Sequence, residues 1–108
     1  MIEVIYYRDS HRVTIKGHAY SGEKGHDLIC ASASMLTHTL ASFVGNMKEA
    51  RQTKNPIIKL QTGDAFIECN VAAKYKSYVM LVFDALCGGF ELLARDYPQN
   101  ISYEMKGI

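Results

Sequence analysis

Between Gly17 and Ser34 the hydrophobic spacing of this chain changes period, and no other feature limits its fold as much. Before that stretch, Val13 and Ile15 alternate with Arg12, Thr14 and Lys16, the pattern of a strand with one apolar face. After it, Ile29, Ala33, Leu36, Leu40, Phe43 and Met47 recur at steps of four and three, which is one face of a helix. The stretch itself reads Gly17-His18-Ala19-Tyr20-Ser21-Gly22-Glu23-Lys24-Gly25-His26-Asp27-Leu28-Ile29-Cys30-Ala31-Ser32-Ala33-Ser34. A strand end, a glycine loop and a helix start therefore meet in one place, and chemistry concentrates on loops held by such rigid elements.

The remaining elements follow from the same two periods. Ile2, Val4 and Tyr6 alternate with Glu3, Ile5 and Tyr7, a first strand with apolar residues on both faces, consistent with cover on both sides. Arg8-Asp9-Ser10 reads as a turn, and the short connection makes the first two strands an antiparallel hairpin. Asp27 suits the N-cap of the first helix, because its carboxylate can accept the unpaired amide hydrogens of the first turn. That helix should end near Glu49 to Arg51, with Asn55-Pro56 blocking continuation. Ile57, Ile58 and Leu60 mark a third strand and Ala65 to Val71 a fourth, joined by a tight turn at Gly63-Asp64.

From Lys74 a second helical face appears through Tyr75, Val79, Val82, Leu86, Phe90, Leu93 and Tyr97, and Pro98 stops it. Gly88-Gly89 inside it suits close approach of the other helix or of a second subunit. Ile101, Tyr103 and Met105 alternate in a last strand. The order ββαββαβ predicts an α+β single domain over residues 1–108, with two helices packed on a mostly antiparallel sheet.

Composition excludes several functions. A chain of 108 residues buries about two-thirds of its unfolded surface, enough for one core. A formal net charge of +1 gives no field to draw nucleic acid, and Lys48, Arg51 and Lys54 read as a solvated helix end. Met1-Ile2-Glu3-Val4 lacks the basic and apolar regions of a targeting segment. The longest clearly apolar run, Val79 to Phe83, is far short of the roughly 20 residues that cross a bilayer. Cys30, Cys69 and Cys87 are odd in number and widely spaced, which argues against a disulfide framework and for a cytoplasmic protein.

Of the three thiols, Cys30 has the setting of a nucleophile. A position in the first helical turn would favour thiolate over thiol through the unpaired amide hydrogens there. His18, twelve residues earlier at the strand end, can act as its general base, and such a pair suffices for acyl transfer. Cys69 and Cys87 lie in apolar patterns and read as buried small hydrophobes, while His11 and His38 read as exposed polar residues. A tetrahedral metal set from His18, His26, Asp27 and Cys30 is a second reading, but the paired short spacing of structural zinc sites is missing.

The motif G-H-A-Y-S-G-E-K-G-H-D-L-I-C-A-S-A-S resembles the signature of the ribosomal-processing cysteine protease family, called Prp. The resemblance extends to Gly89-Phe90-Glu91-Leu92-Leu93-Ala94-Arg95-Asp96-Tyr97-Pro98, which looks like the ending of that family's second helix. Ser32 departs from it, standing where the family has a smaller apolar residue or glycine.

The resemblance implies a cytoplasmic, homodimeric cysteine endopeptidase without a cofactor. It implies a substrate too: the N-terminal extension of a large-subunit ribosomal protein precursor. By position Cys30 matches the nucleophile and His18 the catalytic histidine, with Asp27 and Ser34 in support. Asp27 either orients His18 or caps the helix, and Ser34 either hydrogen-bonds nearby or packs against a strand. Ala19 to His26 matches the segment that closes over bound peptide, with Gly17, Ala19, Tyr20, Gly22, Gly25 and His26 as its substrate-loop residues. A non-catalytic ribosome-associated binding module of the same fold is the alternative, with Cys30 as a packed thiol.

Overall fold

The structure, a computed structural model, describes residues 1–18 and 24–107, and for residues 24–27 the backbone alone. Five strands, β1 (Ile2–Tyr7), β2 (Arg12–Gly17), β3 (Thr53–Gln61), β4 (Asp64–Val71) and β5 (Ile101–Lys106), form one sheet in the order β3-β4-β2-β1-β5. Two helices, α1 (Lys24–Glu49) and α2 (Lys76–Asp96), pack on one of its faces. The order ββαββαβ is the one expected. The sheet is mixed, since β5 runs parallel to β1 while the other neighbours are antiparallel.

Alternation supplies the core. Ile2, Val4 and Tyr6 of β1, Val13 and Ile15 of β2, and Ala65, Ile67 and Cys69 of β4 are buried beneath the helices. Among the described residues the opposite face of β1 carries no second layer. There Ile5 and Tyr7 are half-buried by neighbouring side chains, with the Arg12 guanidinium 5.3 Å from the Tyr7 ring and 5.6 Å from that of Phe66. The expected cover on both sides is thus partial.

The buried face of α1 differs from the expected stripe at two steps, with Thr37 buried in place of half-buried Leu36 and Val44 in place of Phe43. Val44 is fully buried and Phe43 is exposed, because the inward row runs Ile29, Ala33, Thr37, Leu40, Val44, Met47. Thr37 hid that row in the sequence. Its hydroxyl donates to the Ala33 carbonyl at 2.7 Å, so a polar residue occupies a core position at little cost. In α2 the fully buried side chains are Val79, Phe83, Cys87 and Phe90, with Val82, Leu86 and Leu93 half-buried. Tyr75 precedes the helix in a 3-10 turn (Ala73–Tyr75), and Tyr97 follows it and is exposed.

Helix α1 stops where the sequence placed its end, through paired backbone bonds. The Gln52 amide donates to the Met47 carbonyl (2.7 Å) and the Arg51 amide to the Lys48 carbonyl (2.9 Å), with Arg51 left-handed at φ 60°. Asn55-Pro56 then lies inside β3 rather than ahead of it. A bulge between Lys54 and Ile57 accommodates the proline on an edge strand, where its missing donor breaks no ladder. In the β3–β4 hairpin Gln61 pairs with Asp64, so Thr62 and Gly63 are the central turn residues and Gly63 takes the second position, not the first.

His11 corrects another expectation. It is 8% exposed, left-handed at φ 50°, and meets the Phe83 ring edge-on at 6.0 Å. By length and composition over whole helices, residues 28–49 and 73–96 would each suffice to cross a bilayer, although no single apolar run does. Both helices instead lay one face on the sheet and supply core residues.

Candidate active site

One end of the sheet gathers the start of β1, the end of β2 and the β3–β4 turn. Ile2 pairs with Gly17, and Lys16 pairs with Asp64. Gly17 is required there by its backbone (φ +98°) and by space, because the Met1 carbonyl occupies the place a Cβ would take. Its amide donates to the Gly63 carbonyl at 3.0 Å, which ties the end of β2 to the turn. His18 follows directly, exposed, with its imidazole over the bare Cα of Gly63.

The N-terminal part of α1 faces this sheet end. Cys30, half-buried, packs partly on the core, and Ser34 and His38 follow at successive helical turns. His18, Cys30, Ser34, His38 and Gly17 all line one cleft of about 320 Å³. Its floor is apolar, from Ile2, Ile15, Ala33 and Ala65, and the β3–β4 hairpin walls the far side with Leu60, Gln61 and Thr62. A cleft with an apolar floor and with a thiol and an imidazole in its lining suits an extended peptide and acyl chemistry on it.

Burial sets Cys69 and Cys87 apart from the half-buried Cys30. Burial pushes the Cys87 thiol up to about 12, with the Asp84 charge adding to it. Burial likewise raises Cys69 to about 11, with Glu68 adding. Both are therefore inert at neutral pH, and both are core residues as expected. At the hairpin, the Lys59 ammonium bonds Asp64 at 2.6 Å and holds that carboxyl below its usual range.

The structure moves the start of α1. The helix begins at Lys24, so Asp27 lies within its first turn rather than at the cap and Cys30 falls in the second turn. Gly25 and His26 had read as loop. Extending a long helix backward adds a hydrogen bond per residue, which outweighs the poor propensity of a terminal glycine. The Cys30 amide is thus inside the helical ladder.

Gly25 is described by its backbone alone, the side chains of His26 and Asp27 lie outside the described residues, and Ala19, Tyr20 and Gly22 lie outside them altogether. The metal reading draws on His26 and Asp27 and falls outside them too; among the described residues no three His, Cys, Asp or Glu side chains group as metal ligands. Ser32, the departure from the family motif, donates to the Leu28 carbonyl at 2.7 Å and is exposed.

Two cleft residues were missed. His38 repeats the Cys30-Ser34 step once more, a signal present in the helical period. Gly63 gave no such signal, because only the pairing of β4 with β2 brings the turn to His18.

A model of the family described as cysteine protease Prp matches residues 1–102. Among solved structures, SMU.848 from Streptococcus mutans superposes with a TM-score of 0.68 at 24% identity, covering 99% of this chain and 93% of that one. An essential ribosomal processing protease Prp from S. aureus, in complex with a covalently linked product peptide, gives 0.69 at 21% identity over 97% of both chains. The same protease with a substrate peptide gives 0.66 at 19% identity over 97% of both. These likenesses carry the fold. Among curated proteins none matches the chain significantly. With its family pattern running through residues 1–102, the chain belongs to the cysteine protease Prp family and is a cysteine peptidase.

Proposed function

We propose that this peptidase removes the N-terminal extension of a large-subunit ribosomal protein precursor, with Cys30 as nucleophile and His18 as general base and acid. The observation that carries the reading is that His18, just beyond the end of β2, and Cys30, in α1, line one cleft with an apolar floor. The S. aureus protease of the same fold is described as ribosomal processing and as holding substrate and product peptides.

In this mechanism His18 takes the proton from the Cys30 Sγ, and the thiolate attacks the scissile carbonyl carbon to give a tetrahedral adduct. The adduct collapses, the C–N bond breaks, and His18 returns its proton to the leaving amine. Water, deprotonated by His18, then hydrolyses the thioester and restores the thiol as the carboxylate product departs. Ser34 lies one turn beyond Cys30 in the same cleft, placed to hydrogen-bond a peptide lying there.

A homodimer is part of the proposal. The outer helical surfaces leave Leu28, Met35, Tyr78, Leu81 and Leu92 exposed, an apolar set that a second copy would cover. Three free cysteines and a ribosomal substrate fit a cytoplasmic setting. The test is incubation with the extended precursor and with its mature form, read by intact mass. One N-terminal cut in the precursor and none in the mature protein supports the reading. Tight binding of the precursor without any cut supports the binding module instead.

A further inference from the structure

Gly63 has two separate reasons to be glycine, and the second concerns the reaction. Its φ of +73° meets the left-handed turn of the β3–β4 hairpin. In addition, a Cβ built on it would lie 2.7 Å from the His18 Cε1 and 3.2 Å from Cδ2, and closer still to Nε2. The imidazole therefore rests on the space left by the missing side chain. The Gly17 amide bonded to the Gly63 carbonyl fixes the same turn against the backbone one residue before His18. Ring and backbone of His18 are both referenced to one residue of an edge hairpin.

We propose that Gly63 is a positioning residue for the reaction, a seat that sets where the His18 imidazole stands in the Cys30 cleft. This rests on the reading of His18 as the general base. A side chain at position 63 would meet the far end of an exposed imidazole rather than any backbone atom, so the ring and not the turn has to shift. The same shift moves the reacting nitrogen by an ångström or more, and displacements of that size cost about 100-fold in rate. Stability and turnover should therefore separate at this position.

The experiment compares Gly63→Asn and Gly63→Ala with wild type and with His18→Ala, using the extended precursor as substrate. Asparagine tolerates the left-handed backbone, so Gly63→Asn keeps the turn while filling the seat. Expected for Gly63→Asn are a kcat lower by about 10- to 100-fold, a KM within about twofold and a nearly unchanged Tm. The His18 Cε1–H resonance should move while that of His38 stays. Wild-type kcat and an unmoved His18 resonance in Gly63→Asn, with His18→Ala inactive, would overturn the proposal and leave the Cys–His reading intact. Full activity in His18→Ala would overturn both. A loss of Tm matching the loss of kcat, with the His18 resonance unmoved, would make Gly63 only a turn residue and also overturn the proposal.

Discussion

Leu36 of α1 packs against the bare Cα of Gly89 in α2: a Cβ on Gly89 would come within 2.7 Å of its Cδ2 and 3.0 Å of its Cδ1. The pair sets how closely the two helices approach, and α1 carries Cys30. Gly88, next to it, meets nothing within 4 Å. The double glycine thus has one member with a packing role and one without, and the close approach read from the sequence belongs to the other helix.

Gly88→Ala should raise stability by about 0.5–1 kcal/mol, because alanine removes backbone entropy at an open helical site. Gly89→Ala brings the same propensity gain against overpacking of about 1–3 kcal/mol and should come out neutral or destabilising. Denaturant midpoints of the two variants check this. Equal stabilisation by both would remove Gly89 from the helix contact.

The three thiols should react unequally. Iodoacetamide at pH 8 should add one group to the native protein, at Cys30, because burial holds Cys69 and Cys87 as neutral thiols near 11 and 12. In denaturant three groups should add. Cys87→Ala should cost about 1–3 kcal/mol through the space it leaves in the core. Peptide mapping after alkylation reads the first expectation and urea titration the second.

At the end of the sheet away from the cleft, Asp84 accepts from the Tyr6 hydroxyl (2.8 Å) and from Arg8 Nε and Nη2 (3.0 Å each). The Arg8 hydrogen bond holds the Asp84 carboxyl below its ordinary 3.8. A depressed carboxylate stabilises the fold above its unfolded value, and that stability is lost as pH falls through the folded value. Asp84→Asn should therefore lower Tm by a constant amount between pH 5 and 8, in the range of about 2–8 °C. Below about pH 3.8 the gap to wild type should close. A gap unchanged down to pH 2 would mean that the carboxylate charge contributes nothing.

His11 acts in the same direction through a different group. Burial lowers its pKa below 6.5, with Lys76 and Arg8 adding and Asp9 opposing, and its Nε2 has no hydrogen-bond partner among the described residues. The unfolded chain thus binds a proton that the folded chain resists. Stability should fall as pH drops below 6.5 and level off below the folded value. His11→Asn keeps the left-handed backbone and should flatten that slope between pH 5 and 7, whatever it does to absolute stability. Parallel slopes for variant and wild type would assign the dependence to other groups.

Much of the fold was legible because its two hydrophobic periods are clean. The alternation Val13, Ile15 and the helical row through Ile29, Ala33, Leu40 and Met47 needed no tertiary information. What was misread has local causes. Thr37 disguised a core position by bonding its own helix, and His11 disguised one by being a histidine at a turn. Gly25 suggested loop where helix propagation prevailed. At the cleft, Cys30, His18 and Ser34 belong to one sequence stretch, so their neighbourhood was legible without tertiary information. The β3–β4 hairpin wall and Gly63 come from a distant segment, and only strand pairing brings them in.

The measurement that bears most directly on the Cys30–His18 reading is intact mass of the extended precursor after incubation with wild type, Cys30→Ala and His18→Ala, all three shown folded by Tm. A Cys–His peptidase gives one N-terminal cut with wild type and no cut at the same time with either variant, a loss of at least about 1,000-fold. Cleavage by Cys30→Ala at the wild-type rate would contradict it, because the attacking atom would then have to be another.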